Sequence, residues 1–123
     1  MDASGVVEGQ EVKSLSRETT FETDTDDPEL IASTIDALTK SVCENLAEER
    51  LRCRTITLKI RYQGFITRSK SRSLSHFSRD AATVRSLVHA LFGEVYDGRK
   101  VRLLGIRLSS LEKRDSGQVT LPL

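Results

Sequence analysis

The residues with the clearest chemistry are guanidinium, ammonium and hydroxyl groups set along segments of alternating polarity. In residues 100–111, Lys-Val-Arg-Leu-Leu-Gly-Ile-Arg-Leu-Ser-Ser-Leu, apolar side chains alternate with basic or small polar ones. A strand with one buried and one wet face reads this way. Val101 and Leu103 share one parity, whereas Leu104, Ile106 and Leu108 share the other. The frame therefore slips near Leu104 and Gly105, which predicts a β-bulge there with Arg102 and Arg107 on the polar face. Residues 66–74, Ile-Thr-Arg-Ser-Lys-Ser-Arg-Ser-Leu, carry bases and hydroxyls with few apolar groups. They suit a polyanion rather than a sealed core, because Arg, Lys, Ser and Thr all donate hydrogen bonds to phosphate oxygens. The alternative is a solvated edge strand guarded by its charge.

Catalytic constellations are not evident. The sequence has no phosphate-binding P-loop, no G-x-G-x-x-G, no H-E-x-x-H and no nucleophile elbow. His76 and His89 stand apart from any carboxylate or cysteine at ligand or dyad spacing. Asp24, Asp26 and Asp27 lack the Gly and distal Glu of a calcium loop, so helix capping accounts for them better than a metal. Cys43 and Cys53 are read as buried free thiols, since two cysteines without nearby histidines make no zinc site.

Length and charge narrow the class. The chain has 123 residues, enough for one domain with a modest core. No run reaches the roughly 20 apolar residues of a membrane span, and no apolar leader opens the chain. A soluble, cytoplasmic, monomeric protein with no membrane partner is expected. The net charge of +1 conceals a division. Residues 1–50 hold 4 basic and 13 acidic residues, and residues 51–123 hold 15 and 5. Such asymmetry points to an anionic partner for the second half, nucleic acid first, unless the two halves neutralise each other.

These groups need a scaffold, and the periodicities supply one. Residues 1–10 read as a linker or disordered arm, 11–112 as the folded domain, and 113–123 as a tail. Residues 11–21 alternate as a strand. Asp27 caps a helix with Pro28 in its first position, and Ile31, Ile35, Leu38, Val42 and Leu46 recur at helical spacing to about Ala47. Residues 53–62 set Ile56, Leu58, Ile60 and Tyr62 against Thr55, Thr57, Lys59 and Arg61. Gln63 and Gly64 turn this strand back into residues 66–74. Ser78 is expected to cap a second helix carrying Ala81, Val84, Leu87, Val88 and Leu91, and Gly93 to end it. Asp97 and Gly98 then turn the chain into residues 100–111. The result is an α+β domain of order β-α-β-β-α-β: a four-stranded antiparallel sheet, two helices on one face, and an open basic face. Right-handed crossovers suggest the strand order 4-1-3-2. Exposed aromatics are few, which favours gripping a duplex backbone over stacking on single-stranded bases.

Four segments in register resemble the little-finger domain of Y-family DNA polymerases of the DinB, or DNA polymerase IV, type. They are residues 12–21 (Val-Lys-Ser-Leu-Ser-Arg-Glu-Thr-Thr-Phe), 57–61 (Thr-Leu-Lys-Ile-Arg), 65–69 (Phe-Ile-Thr-Arg-Ser) and 100–108. The resemblance spans about residues 11–123. It implies a non-catalytic domain whose open sheet lies in the major groove and grips both backbones of primer–template DNA during damage bypass. Implied backbone contacts are Lys13, Ser14, Ser16, Arg17, Thr67, Arg68, Ser69, Arg102 and Arg107. Lys59 and Arg61 join them from the strand pattern, and Leu103 stands where some relatives have a base. Residues 118–123, Gln-Val-Thr-Leu-Pro-Leu, resemble the bacterial hexapeptide that docks on the sliding clamp, which assigns Gln118, Leu121 and Leu123 to that cleft. The palm acids that hold magnesium in the parent polymerase, and its fingers and thumb, are not in this sequence. The expected chain is thus a piece cut near the thumb linker or a natural truncation, needing no cofactor itself. Its other partner would be the polymerase core. The competing reading is a free-standing module that binds a protein or a small anion.

Overall fold

The computed structural model describes residues 14–113. The elements are β1 (Ser14–Thr25), α1 (Pro28–Glu48), β2 (Leu51–Tyr62), β3 (Ile66–Ser78), α2 (Ala81–Val95), β4 (Val101–Ser109) and β5 (Glu112–Lys113). Lys13, the arm before it and the residues after Lys113 lie outside the described part.

α1 starts where its sequence stops offering alternatives. Asp27 Oδ1 accepts the Glu29 amide at 3.0 Å, and Pro28 sits at the start, where no amide hydrogen is needed. Ile31, Ile35, Leu38, Val42 and Leu46 then form one buried stripe. α2 differs from expectation at both ends. Its cap is Asp80 rather than Ser78, whose hydroxyl instead accepts the Asp80 amide at 3.1 Å. The helix also continues through Gly93 to Val95. Burial of Val84, Val88 and Leu91 outweighs the entropy cost of one glycine.

The sheet is antiparallel in the order β1-β4-β2-β3, with the short β5 pairing the start of β2. This corrects the expected order, while the main path keeps the expected four antiparallel strands. Two right-handed crossovers are compatible with either order, so handedness could not choose. Apolar content does. β2 and β4 each present a full row to the helices: Ile56, Leu58, Ile60 and Tyr62, and Leu104, Ile106 and Leu108, all at most 1% exposed. β1 and β3 contain no fully buried residue and take the edges.

The bulge falls earlier than Gly105. Leu103 through Ser109 keep one register with both neighbours, and the shift comes where Arg61 opposes Leu103 but Tyr62 opposes Val101. Arg102 is the extra residue. Gly105 sits in regular ladder, for a reason given below.

Cys43 and Cys53 are both buried and free, as expected. Burial pushes each thiol from 9.0 up to about 11. Raised thiol values stabilise the fold while the groups stay neutral. That contribution should be complete below pH 9 and decline as pH rises from about 9 to about 11. Urea midpoints measured across that window should fall, and the fall should become smaller when both cysteines are replaced by alanine, leaving the part due to Tyr62 and Tyr96, whose hydroxyls burial also pushes up. In the native protein at pH 8, a thiol-specific reagent should react with neither thiol appreciably faster than global unfolding permits.

Candidate nucleic-acid interface

The register of the four long strands determines which side chains share the uncovered face. Ser14, Ser109, Thr55 and Ser73 make one row across the sheet, and Ser16, Arg107, Thr57 and Ser71 the next. Glu18, Gly105, Lys59 and Ser69 follow, then Thr20, Leu103, Arg61 and Thr67. Ten of these sixteen positions are Ser or Thr, and three are cationic. The open face is thus a hydroxyl field with three embedded bases rather than a basic sheet.

Several hydroxyls are already paired across the strands. Thr57 Oγ1 lies 2.6 Å from Ser71 Oγ, and Thr55 Oγ1 is 3.0 Å from Ser73 Oγ. The Arg61 Nε donates to Thr67 Oγ1 at 3.1 Å, which holds the guanidinium along the sheet. Arg107 projects from the centre between Ser16 and Thr57, exposed, with no carboxylate partner among the described residues. Lys59 Nζ lies 3.1 Å from Glu18 Oε2, reaching over Gly105 from two strands away. A β-carbon at 105 would stand 3.3 Å from Glu18 Cβ and 3.6 Å from Lys59 Cε, so the glycine clears the path for this pair.

The residues read from sequence therefore divide. Ser14, Ser16, Lys59, Arg61, Thr67, Ser69 and Arg107 share the open face. Arg17 and Arg68 do not, because their ladder partners Ile106 and Ile60 point into the core. Arg17 instead crosses to α1, where Nε donates to Ser41 Oγ and a terminal nitrogen to Asn45 Oδ1, both at 3.1 Å. Lys70 and Arg72, also on the helix side, pair with Glu94 of α2 at 3.3 and 2.8 Å. Arg102, at the bulge, reaches Asp24 at 3.2 Å and lies 4.6 Å over the Phe65 ring. Leu103 is on the open face but only 5% exposed. Lys13, Gln118, Leu121 and Leu123 fall outside the described residues.

Sequence reasoning missed Thr20, Thr55, Thr57, Ser71, Ser73 and Ser109. The signal was present in residues 66–74, whose hydroxyls hold the odd positions and whose bases the even ones. Pairing that parity with Lys59 would have put the hydroxyls outward. It also missed the long-range partner of His89, whose Nε2 is 2.8 Å from Asp36 Oδ1. Arg85 donates to the same carboxylate, and Arg85 and then His89 hold Asp36 below the usual carboxylate range. This contact joins α1 to α2.

Among the described residues no group of three or more His, Cys, Asp or Glu stands close enough to hold a metal. Asp24 is engaged by Arg102 and Asp27 by the start of α1, so these acids do not fit the magnesium ligands of a polymerase. No described helix is long and apolar enough to cross a membrane.

A β-α-β-β-α-β layer with both helices behind the sheet and hydroxyls in front defines the class, and residues 12–121 match the impB/mucB/samB family C-terminal domain. The chain belongs to that family, as a little-finger domain of the Y-family, DNA polymerase IV type. It is 49% identical over 109 residues to the DNA polymerase IV of Methanoculleus marisnigri, covering 88% of this chain and 30% of that protein. A second DNA polymerase IV, from Methanosarcina mazei, is 36% identical over 121 residues, or 98% of this chain and 33% of the relative. The chain thus spans about a third of the length of these curated relatives. Among solved structures, a complex of the beta-clamp processivity factor and the little finger domain of PolIV matches with a TM-score of 0.67. There the identity is 20%, with 89% of this chain and 99% of the other covered, which establishes likeness of fold.

The division of the arginines predicts different phenotypes. Arg17→Ala removes two hydrogen bonds to α1 and should cost about 1 kcal/mol in urea unfolding. Any role on the open face would show instead as a changed salt dependence of ligand binding, which this variant should leave as in the wild type.

Proposed function

We propose that this chain lays its open sheet against the sugar-phosphate backbone of duplex primer–template DNA as the non-catalytic grip of a translesion polymerase. Its tail recruits the sliding clamp. The observation that carries this reading is the composition of the face: ten hydroxyls around Arg61, Lys59 and Arg107, with no aromatic side chain among the sixteen positions. Hydroxyl, ammonium and guanidinium groups all donate to phosphate oxygens, and contacts of that kind position a duplex without reading its sequence. None of these sixteen positions offers an aromatic platform for an unpaired base to stack on. Family membership supports the same reading, as does the likeness in fold to a ternary complex of the polymerase Dbh, with a TM-score of 0.67 at 18% identity. Chemistry and its magnesium belong, in this proposal, to the palm of the parent enzyme, acting in the cytoplasm.

Clamp docking rests on Gln118, Leu121 and Leu123, which have the spacing of a clamp-binding peptide. The second reading, a small-anion or protein adaptor, draws support from the internal neutralisation of Lys59 by Glu18 and Arg102 by Asp24. The two readings separate on how binding to DNA responds to salt.

Fluorescence anisotropy of the 123-residue chain with a labelled duplex bearing a single-stranded overhang should show sequence-indifferent binding that weakens as salt rises. The log–log slope should be about −0.9 per phosphate neutralised, and Arg107→Ala should reduce its magnitude by about 0.9. A slope near zero, or an unchanged slope in Arg107→Ala, would favour the adaptor. Separately, Leu121→Ala combined with Leu123→Ala should abolish clamp pull-down and leave DNA affinity intact; equal loss of both would make the tail structural.

A further inference from the structure

The third row of the open face contains its sole acid among the sixteen positions, and that acid sits over a depression. The hollow has a volume of about 170 Å³ and is lined by Ser16, Thr57, Lys59, Ser69 and Arg107 around the bare backbone of Gly105. A hollow of this size has room for a tetrahedral oxyanion. Glu18 apart, its polar side chains suit an anion: an ammonium, a guanidinium and three hydroxyls, each able to donate. Yet Glu18 leans into it. Its Oε2 stands 3.5 Å from where a β-carbon on residue 105 would be, and 3.1 Å from Lys59 Nζ. A carboxylate of the protein therefore occupies the place that suits a phosphate.

We propose that the hollow over Gly105 seats one backbone phosphate and that Glu18 competes with that phosphate for Lys59. The inference rests on the duplex-backbone reading above and names its regulated contact. In the free chain Lys59 is held by an exposed carboxylate, an interaction weak enough to be exchanged. When DNA arrives, the Glu18 side chain, about half exposed, swings out and Lys59 transfers to the phosphate beside Arg107. The displaced carboxylate then takes up a solvent cation. Lys59 consequently contributes little net counterion release in the wild type, although it touches the phosphate. Glu18 thus lowers the affinity of the grip without removing a contact, which keeps the domain exchangeable along the duplex. The glycine serves twice, sparing Glu18 Cβ a tight 3.3 Å contact under the ion pair and leaving the phosphate room to come close to the backbone.

Glu18→Gln keeps the shape and removes the competing charge. In the same anisotropy assay at low salt it should bind duplex about two- to fivefold more tightly, the range spanned by an exposed ion pair. Its log–log salt slope should steepen by about 0.9, one additional phosphate's worth. Glu48→Gln makes the same charge change at the end of α1, behind the sheet, and should leave the slope unchanged. Gly105→Ala puts a methyl in the seat, so Glu18→Gln combined with it should lose the extra slope. Should the alanine variant fold poorly by circular dichroism, Lys59→Gln serves instead, since without the ammonium Glu18→Gln should again lose the extra slope. The inference is overturned if Glu18→Gln behaves like Glu48→Gln, or if its steeper slope survives in the Lys59→Gln background. Failure of the wild type to show salt-dependent binding would be a different result, removing the backbone reading itself.

Discussion

Everything in this domain follows from the need of two strands to bury one complete face. β2 and β4 carry unbroken rows of Ile, Leu and Tyr that no edge position could cover, so they pair with each other in the middle of the sheet. α1 and α2 lie on that side, and the rows on the other side are left to water or to a ligand. Alternation then does the sorting. A residue one place along the same strand changes from core to exterior, which is why Lys59 and Leu58, adjacent in sequence, have opposite environments. The edge strands inherit their facing from the centre through the register, not from their own composition. Arg17 and Ser16, or Arg68 and Ser69, are separated in the same way.

This constraint also explains the uneven distribution of charge along the chain. Glu18 with Lys59, Asp24 with Arg102, and Asp36 with Arg85 each join an acid from the first 50 residues to a base from the remainder. The βαβ path returns the acidic half beside the basic half, and part of the asymmetry is consumed internally. What survives on the open face is a few cations among many hydroxyls. Such a surface has less long-range attraction than net counts would suggest, and correspondingly more short-range hydrogen-bonding capacity.

Much of the architecture was legible in the sequence because its signals are local. The Asp27-Pro28 start of α1, the stripe from Ile31 to Leu46 and the alternation through Ile60 required only neighbours along the chain. The strand order was not legible from crossover handedness, which both arrangements satisfy; the polar character of residues 66–74 was the better guide, since it marks an edge. The site was read less well for the same reason. Its base-bearing residues were chosen by type, and type alone does not tell Arg107 from Arg17. Only the long-range register of β4 against β1 does. The position of the bulge was misread because a glycine next to a parity change looks like its cause. Gly105 has a steric duty to Glu18 and Lys59, and the real irregularity is at Arg102.

The bases on the helix side of the edge strands have a mechanical meaning. Arg17 fastens β1 to α1 through Ser41 and Asn45, and Lys70 and Arg72 fasten β3 to α2 through Glu94. Each contact is modest alone, being exposed to solvent. Their placement matters more than their strength. An edge strand normally frays first, because it has one hydrogen-bonded neighbour. Here each edge has a second attachment, at right angles to the ladder, to the layer behind it. Peeling either edge away would require breaking both, so bending under a lateral load is shared by the helices. Both margins of the open face are thus tied from the rear to the helical layer.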